Sequence, residues 1–234
     1  MKEFNELKRM LKKMPEGLPV CKVALVGDTA TQFLATAIRG VGMERGDHIH
    51  LYEAEYNQVE RQFLDPGSEL YQFDADFIVV FQSTHKLGEK HSMLDTVQQE
   101  SLADDRLAFI ASICENPALA NKKIIYFNYP EIEDTVFGSY ANKVRSSLTY
   151  QVRKLNTALM DLSQQYANLF ICDIAALQNK LGRDFLFSTN IYVSTEMVLS
   201  VDALPHVASR VMDIVCAIKG QFKKCLILDL DNTV

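Results

Sequence analysis

Short, near-continuous apolar runs alternate along this chain with apolar stripes at helical spacing, and that alternation leaves few folds open. The runs lie at 21–26 (CKVALV), 48–52, 76–81 (DFIVVF), 122–127 (KKIIYF) and 168–172 (NLFIC). Helical patterns fall between them, near 30–43, 55–63, 88–115, 138–166 and 195–219. Strands that are apolar on both sides need cover on both faces, and helices that return the chain between parallel strands supply it. The pattern predicts an α/β fold, a three-layer αβα arrangement around a five-stranded, mostly parallel sheet. In such sheets ligands collect at the C-terminal ends of the strands, where the strand order reverses.

A length of 234 residues suits one domain of this kind and is too little for two full-sized ones. Lys and Arg total 24 against 30 Asp and Glu, a net charge of −6, which speaks against nucleic acid as a partner. No apolar run approaches the ~20 residues of a membrane helix, and the Lys-rich 1–14 segment lacks the apolar core of a signal peptide. Five widely spaced cysteines (Cys21, Cys114, Cys172, Cys216 and Cys225) lie mostly inside apolar runs, without a CxxC pair. Reduced thiols of a cytoplasmic protein are the expectation.

A sixth apolar strand is expected near 224–231, and it runs into Asp229-Leu230-Asp231-Asn232-Thr233. Two residues apart on an extended chain, Asp229 and Asp231 point the same way. One carboxylate can act as a nucleophile and the other as general acid and base, with Mg²⁺ offsetting the negative charge of a substrate. The plainer reading is a strand end with two solvated aspartates and a turn. A buried strand with no helix after it reads as the opening of a second unit. The expected division is therefore 1–220 and 221–234, the latter the first strand of a truncated domain.

The DLDNT motif, within KKCLILDLDNT and after a helix ending AIKG, resembles the first motif of the haloacid dehalogenase superfamily and, more narrowly, its FkbH-like group. The stretch YEAEYNQVERQFLDPGSELYQFDADFIVV at 52–80 resembles the same group through its Tyr-Asn-Gln segment, its Asp-Pro-x-Ser turn and its Ala-Asp strand. The resemblance implies an SGNH-hydrolase-like (flavodoxin-like) N-terminal domain joined to a haloacid dehalogenase domain. It also implies Asp229 as nucleophile, Asp231 as general acid/base, and Mg²⁺ held by Asp229 and the Asp231 carbonyl. An acyl carrier protein, loaded from a phosphorylated three-carbon precursor, is the implied partner of the full-length protein. The superfamily's later motifs would lie past Val234, so catalysis is not expected of this chain alone.

SGNH hydrolases place Gly-Asp-Ser after the first strand, and this chain carries Gly27-Asp28-Thr29. A Thr29 hydroxyl can be a nucleophile beside a histidine. The bland alternative has Asp28 or Thr29 capping the helix that follows. Ser83 and Asn128, after the third and fourth strands, complete a possible degenerate SGNH site, Asn128 as the relic of an oxyanion donor. Gln82, Thr84 and His85 stand beside Ser83, and His85 reads as a solvated loop residue. The family's late Asp-x-x-His has its nearest match in Asp202 and His206, spaced four apart within an expected helix, where a surface pair is the simpler reading. His48 and His50 alternate on a strand with no third metal ligand in view.

Three functions stay open. The first is a non-catalytic recognition domain of an FkbH-like enzyme, the second an SGNH-like esterase or acyltransferase using Thr29, and the third a pure interaction module. Long helices or the terminal strand also offer surfaces for a homo-oligomer.

Overall fold

The computed structural model describes residues 1–133 and 135–221. The strand expected near 224–231, with Asp229, Asp231 and Cys225, lies outside the described residues. In chain order the elements are α1 (Phe4–Met10), β1 (Val20–Gly27), α2 (Gln32–Glu44), β2 (His48–Glu53), α3 (Val59–Leu64) and α4 (Glu69–Phe73). Then come β3 (Phe77–Phe81), α5 (Thr84–Ser92), α6 (Thr96–Glu115), β4 (Lys123–Phe127), α7 (Leu148–Gln165) and β5 (Leu169–Cys172). The chain continues through α8 (Ile174–Leu181), α9 (Arg183–Leu186), α10 (Thr189–Thr195) and α11 (Leu204–Ile218).

The five strands form one sheet in the order β2-β1-β3-β4-β5, and every pairing is parallel. Alternation along each strand feeds two separate cores. Val23, Leu25, Val79, Phe81, Ile125 and Phe127 face the side covered by α1, α2, α8, α9 and α11. Ala24, Val26, Ile78, Val80, Ile124 and Tyr126 face α3 to α7. Each fully buried aliphatic or aromatic side chain contributes about 1.5–3 kcal/mol, so both faces hold the sheet. On the first face α2 lies flush on β2, because a Cβ at Gly42 would meet Ile49 Cγ1 at 2.2 Å.

The three-layer α/β expectation matches, and the helices differ in detail. The stripe near 88–115 is two helices, broken where Asp95 starts α6 with a capping box: its carboxylate accepts from Gln98 N–H and Gln98 answers Asp95 N–H. The stretch near 138–166 is a 3₁₀ turn (Gly138–Lys143) followed by α7, whose Ser147 hydroxyl accepts from Tyr150 N–H. The pattern near 195–219 starts later, at Leu204, with Pro205 in the first turn where its missing N–H costs nothing. Among the described residues no helix is long and apolar enough to cross a membrane.

β1 and β3 are neighbours, while the chain visits β2 on the other side of β1 between them. Their C-terminal ends therefore frame the crevice where the strand order reverses.

Candidate functional site

Gly27 ends β1 in a space that only glycine fits, since a Cβ there would lie 2.6 Å from Thr31 Cγ2 and 3.3 Å from the Phe81 carbonyl. This close approach sends the next residue across to β3. Asp28 N–H donates to the Phe81 carbonyl (3.2 Å), and both Asp28 carboxylate oxygens accept the Ser83 N–H, at 3.0 and 2.9 Å. Ser83 in turn caps α5, its hydroxyl accepting from Lys86 N–H at 3.1 Å. Burial pushes the Asp28 carboxyl up to about 7, although the Ser83 N–H and the charges of Arg106 and Lys86 favour its ionised form.

Asp28 and Ser83 line a cavity of about 450 Å³, together with Gln82, Lys86, Arg106 and Tyr129. A hydrogen-bonded chain shapes its floor. Tyr126 O–H donates to Gln82 Oε1 (2.6 Å), which leaves Tyr129 O–H to donate to the Tyr126 oxygen (2.7 Å). Arg106 Nη1 donates to the same Gln82 oxygen at 3.0 Å. Burial holds both phenols protonated, pushing Tyr129 up to about 12 and Tyr126 well above its ordinary value. Arg106 passed unnoticed in the sequence. Its signal was a charge on the stripe Ala103–Arg106–Ile110–Ile113, whose other members are buried.

Thr29 has a different fate. Its side chain is fully buried, and among the described residues its hydroxyl has no hydrogen-bond partner, imidazole or otherwise. The capping expectation for Asp28 and Thr29 is corrected here. Asp28 turns to Ser83, and α2 begins behind Thr31, whose own hydroxyl donates to Glu53 Oε1 at 2.7 Å. Next to Thr29, Ala30 N–H donates to the Glu196 carbonyl (3.0 Å), tying this loop to the end of α10. Lys86 reaches the same segment through the Glu196 carboxylate at 2.9 Å, and Tyr192 bonds Glu89.

The remaining candidates scatter. Asn128 lies at the start of α8, donating to Asp173 Oδ1 (2.7 Å) and accepting from Ile174 and Ala175 N–H (2.9 and 3.0 Å). His85 is no solvated loop residue. It sits on α5 between the rings of Phe187 and Tyr192, at 5.2 and 5.4 Å, its Nδ1 is buried without a partner, and burial pushes its pKa down. Asp202 precedes α11 and His206 lies inside it, edge-on to Phe185, so the two are not a pair within one helix. Among the described residues no group of three or more His, Cys, Asp or Glu is placed to hold a metal. The thiols of Cys21 and Cys114 are pushed up by burial to about 11 and 12, which makes both poor nucleophiles. The structure thus unites Asp28 and Ser83, seals Thr29, and leaves Asn128 capping a helix.

Comparison with known proteins places this geometry. The solved N-terminal part of BF1531 from Bacteroides fragilis, described as containing a phosphatase domain and complexed with Mg, is 57% identical with a TM-score of 0.94. The match covers 99% of this chain, which spans 61% of that one. An acetyl xylan esterase, AlAXEase, shares the fold at 16% identity and a TM-score of 0.56, over 83% of this chain and 99% of its own. A G-D-S-L family protein from Desulfitobacterium hafniense does so at 11% and 0.50, over 82% and 98%. No curated protein matches the chain. The FkbH N-terminal domain matches residues 22–216. With that span of the sequence accounted for, the chain belongs to the FkbH N-terminal domain family.

Proposed function

We propose that this region is a recognition domain of an FkbH-like, haloacid dehalogenase-type protein, and that its SGNH-like site does not hydrolyse esters. The observation that carries the reading is the Thr29 hydroxyl, fully buried and unbonded at the position of the nucleophile. A nucleophilic hydroxyl needs a base within hydrogen-bond reach and a path for its substrate. Thr29 has neither.

The chemistry of the whole protein is placed with Asp229 and Asp231, taking residues 1–220 as one domain and 221 onward as the next. The solved relative with a phosphatase domain extends beyond the region it shares with this chain, which supports that division. In the intact protein Mg²⁺ would sit with Asp229 and Asp231 and offset phosphoryl charge. An acyl carrier protein is the proposed partner, on family resemblance.

Hydrolysis of p-nitrophenyl acetate tests the reading on the wild type and on Thr29→Ser. Neither should exceed the uncatalysed rate. Robust turnover by either protein would restore the esterase.

A further inference from the structure

We infer that the cavity between β1, β3 and α6 is a receptor for a small oxyanion, a carboxylate or phosphate group seated on Arg106, carried by a ligand whose hydrogen-bond donor faces Asp28. The inference rests on reading this region as a recognition domain, and it assigns that domain a ligand class.

Arg106 is the central observation. Its side chain is 10% exposed, yet among the described residues no carboxylate holds it closely: Glu60 Oε1 lies 3.5 Å from Nη1 and belongs to a side chain that is 54% exposed. A guanidinium carries five N–H donors. Among the described residues only Nη1 donates to protein, chiefly to Gln82. Among the described residues the buried side-chain atoms without partners are Thr29 Oγ1, Asp47 Oδ2 and His85 Nδ1, so Arg106 Nε and Nη2 are unbonded there but not sealed away. The residue itself is part of the cavity wall.

The guanidinium is also held in place. Gln82, itself bonded by Tyr126 and through it to Tyr129, accepts from one edge, and the centroid of the Phe109 ring lies 5.7 Å from its carbon. A planar fork positioned in this way suits the paired oxygens of a carboxylate or phosphate, which would supply the close counter-charge that Arg106 lacks. Lys90 on the same wall adds positive charge, whereas Lys86 is paired with Glu89 and Glu196. Asp28 offers the second contact. Its two oxygens share a single N–H, so it can still accept from a hydroxyl or amine on the ligand. A volume of about 450 Å³ suits a small molecule rather than a polymer.

The test titrates the 234-residue chain with inorganic phosphate and, separately, with L-lactate. Heats are followed by calorimetry and the Arg106 Nε–H resonance by NMR. Saturable binding of at least one probe is expected, with that resonance moving along the same curve. Binding of phosphate alone assigns a phosphoryl ligand, lactate alone a carboxylate, and both an oxyanion read by the guanidinium regardless of source. Arg106→Gln should weaken binding about tenfold or more, and Arg106→Lys, which keeps the charge without the fork, by less. Absence of saturation with both probes overturns the inference, as does saturation that leaves the resonance still or affinity unchanged in Arg106→Gln. The resonance needs no substitution, so it decides even if Arg106→Gln does not fold. Ester turnover by the wild type would sink the recognition reading and leave oxyanion binding standing, whereas absent binding with no turnover would do the reverse.

Discussion

At the end of β1, two adjacent polar residues meet opposite surroundings. Asp28 is nearly buried but lines a cavity, accepts a backbone N–H from the start of α5, and lies near the charges of Arg106 and Lys86. Thr29 is closed off entirely, its hydroxyl without a partner, and the loop beside it is tied to Glu196. A buried polar group is tolerable when its hydrogen bonds are met and costs about 1–3 kcal/mol when they are not. The sheet edge therefore carries an organised polar site on the α6 side beside a hydroxyl that is closed off. At one strand end a shaped polar cavity and a sealed hydroxyl can stand side by side.

The largest expected effect belongs to Asp28. Its carboxyl is raised from 3.8 to about 7 in the folded chain, mainly by burial. Below about pH 4 the acid is protonated both folded and unfolded, and no penalty arises. As pH rises from there the unfolded chain ionises first, so stability falls until about pH 7 and then levels off. The full difference is on the order of 4 kcal/mol. Asp28→Asn keeps an acceptor for Ser83 N–H and removes the titration. Urea denaturation should find it up to about 4 kcal/mol more stable than the wild type at alkaline pH, with the two curves converging below about pH 4. Parallel curves would mean that Asp28 is no more strained than an ordinary carboxylate, and the contrast with Thr29 would lose half its content.

Next in size is Gln82→Leu. One amide oxygen receives both Tyr126 O–H and Arg106 Nη1, so its removal strands a buried phenol and loosens a nine-tenths buried cation. A loss of about 3 kcal/mol is expected in the same denaturation experiment. A loss below about 1 kcal/mol would show that the cavity floor is not a connected network.

How much of this was legible follows from where each signal lives. β1, β3 and β4 were plain because strands buried on both faces must be apolar throughout. Asp28 and Ser83 could be paired in advance because topology alone brings the ends of β1 and β3 together. The break between α5 and α6 hid behind Met93 and Leu94, which continue the apolar stripe, although Asp95 and Gln98 spell a capping box. α10 has no buried residue, so no stripe marks it, and its anchors are the tertiary contacts of Tyr192 and Glu196 with α5. Arg106 was passed over because a charge within a long helix is ordinarily a solvated one. What separates it from the solvent-facing Lys154 of α7, paired with Asp104, is its register on the buried stripe. The isolation of Thr29 left no trace in sequence, since it depends on closure by segments far along the chain.

The smallest effect concerns Thr29 and tests the closed half of the comparison. Valine has nearly the shape of threonine, so Thr29→Val exchanges an unbonded hydroxyl for a methyl without opening a cavity. At most sites that exchange destabilises, because the hydroxyl was bonded. Here nothing is lost and the desolvation of a polar group is relieved, so stability should rise by about 1 kcal/mol or stay level. At the same time the pH dependence set by Asp28 should not change, because the hydroxyl makes no bond to the carboxylate. A destabilisation above about 1 kcal/mol in thermal or urea unfolding would mean that the hydroxyl is bonded in solution. Position 29 would then be a live polar site, and the line drawn between two adjacent residues would have to be redrawn around both.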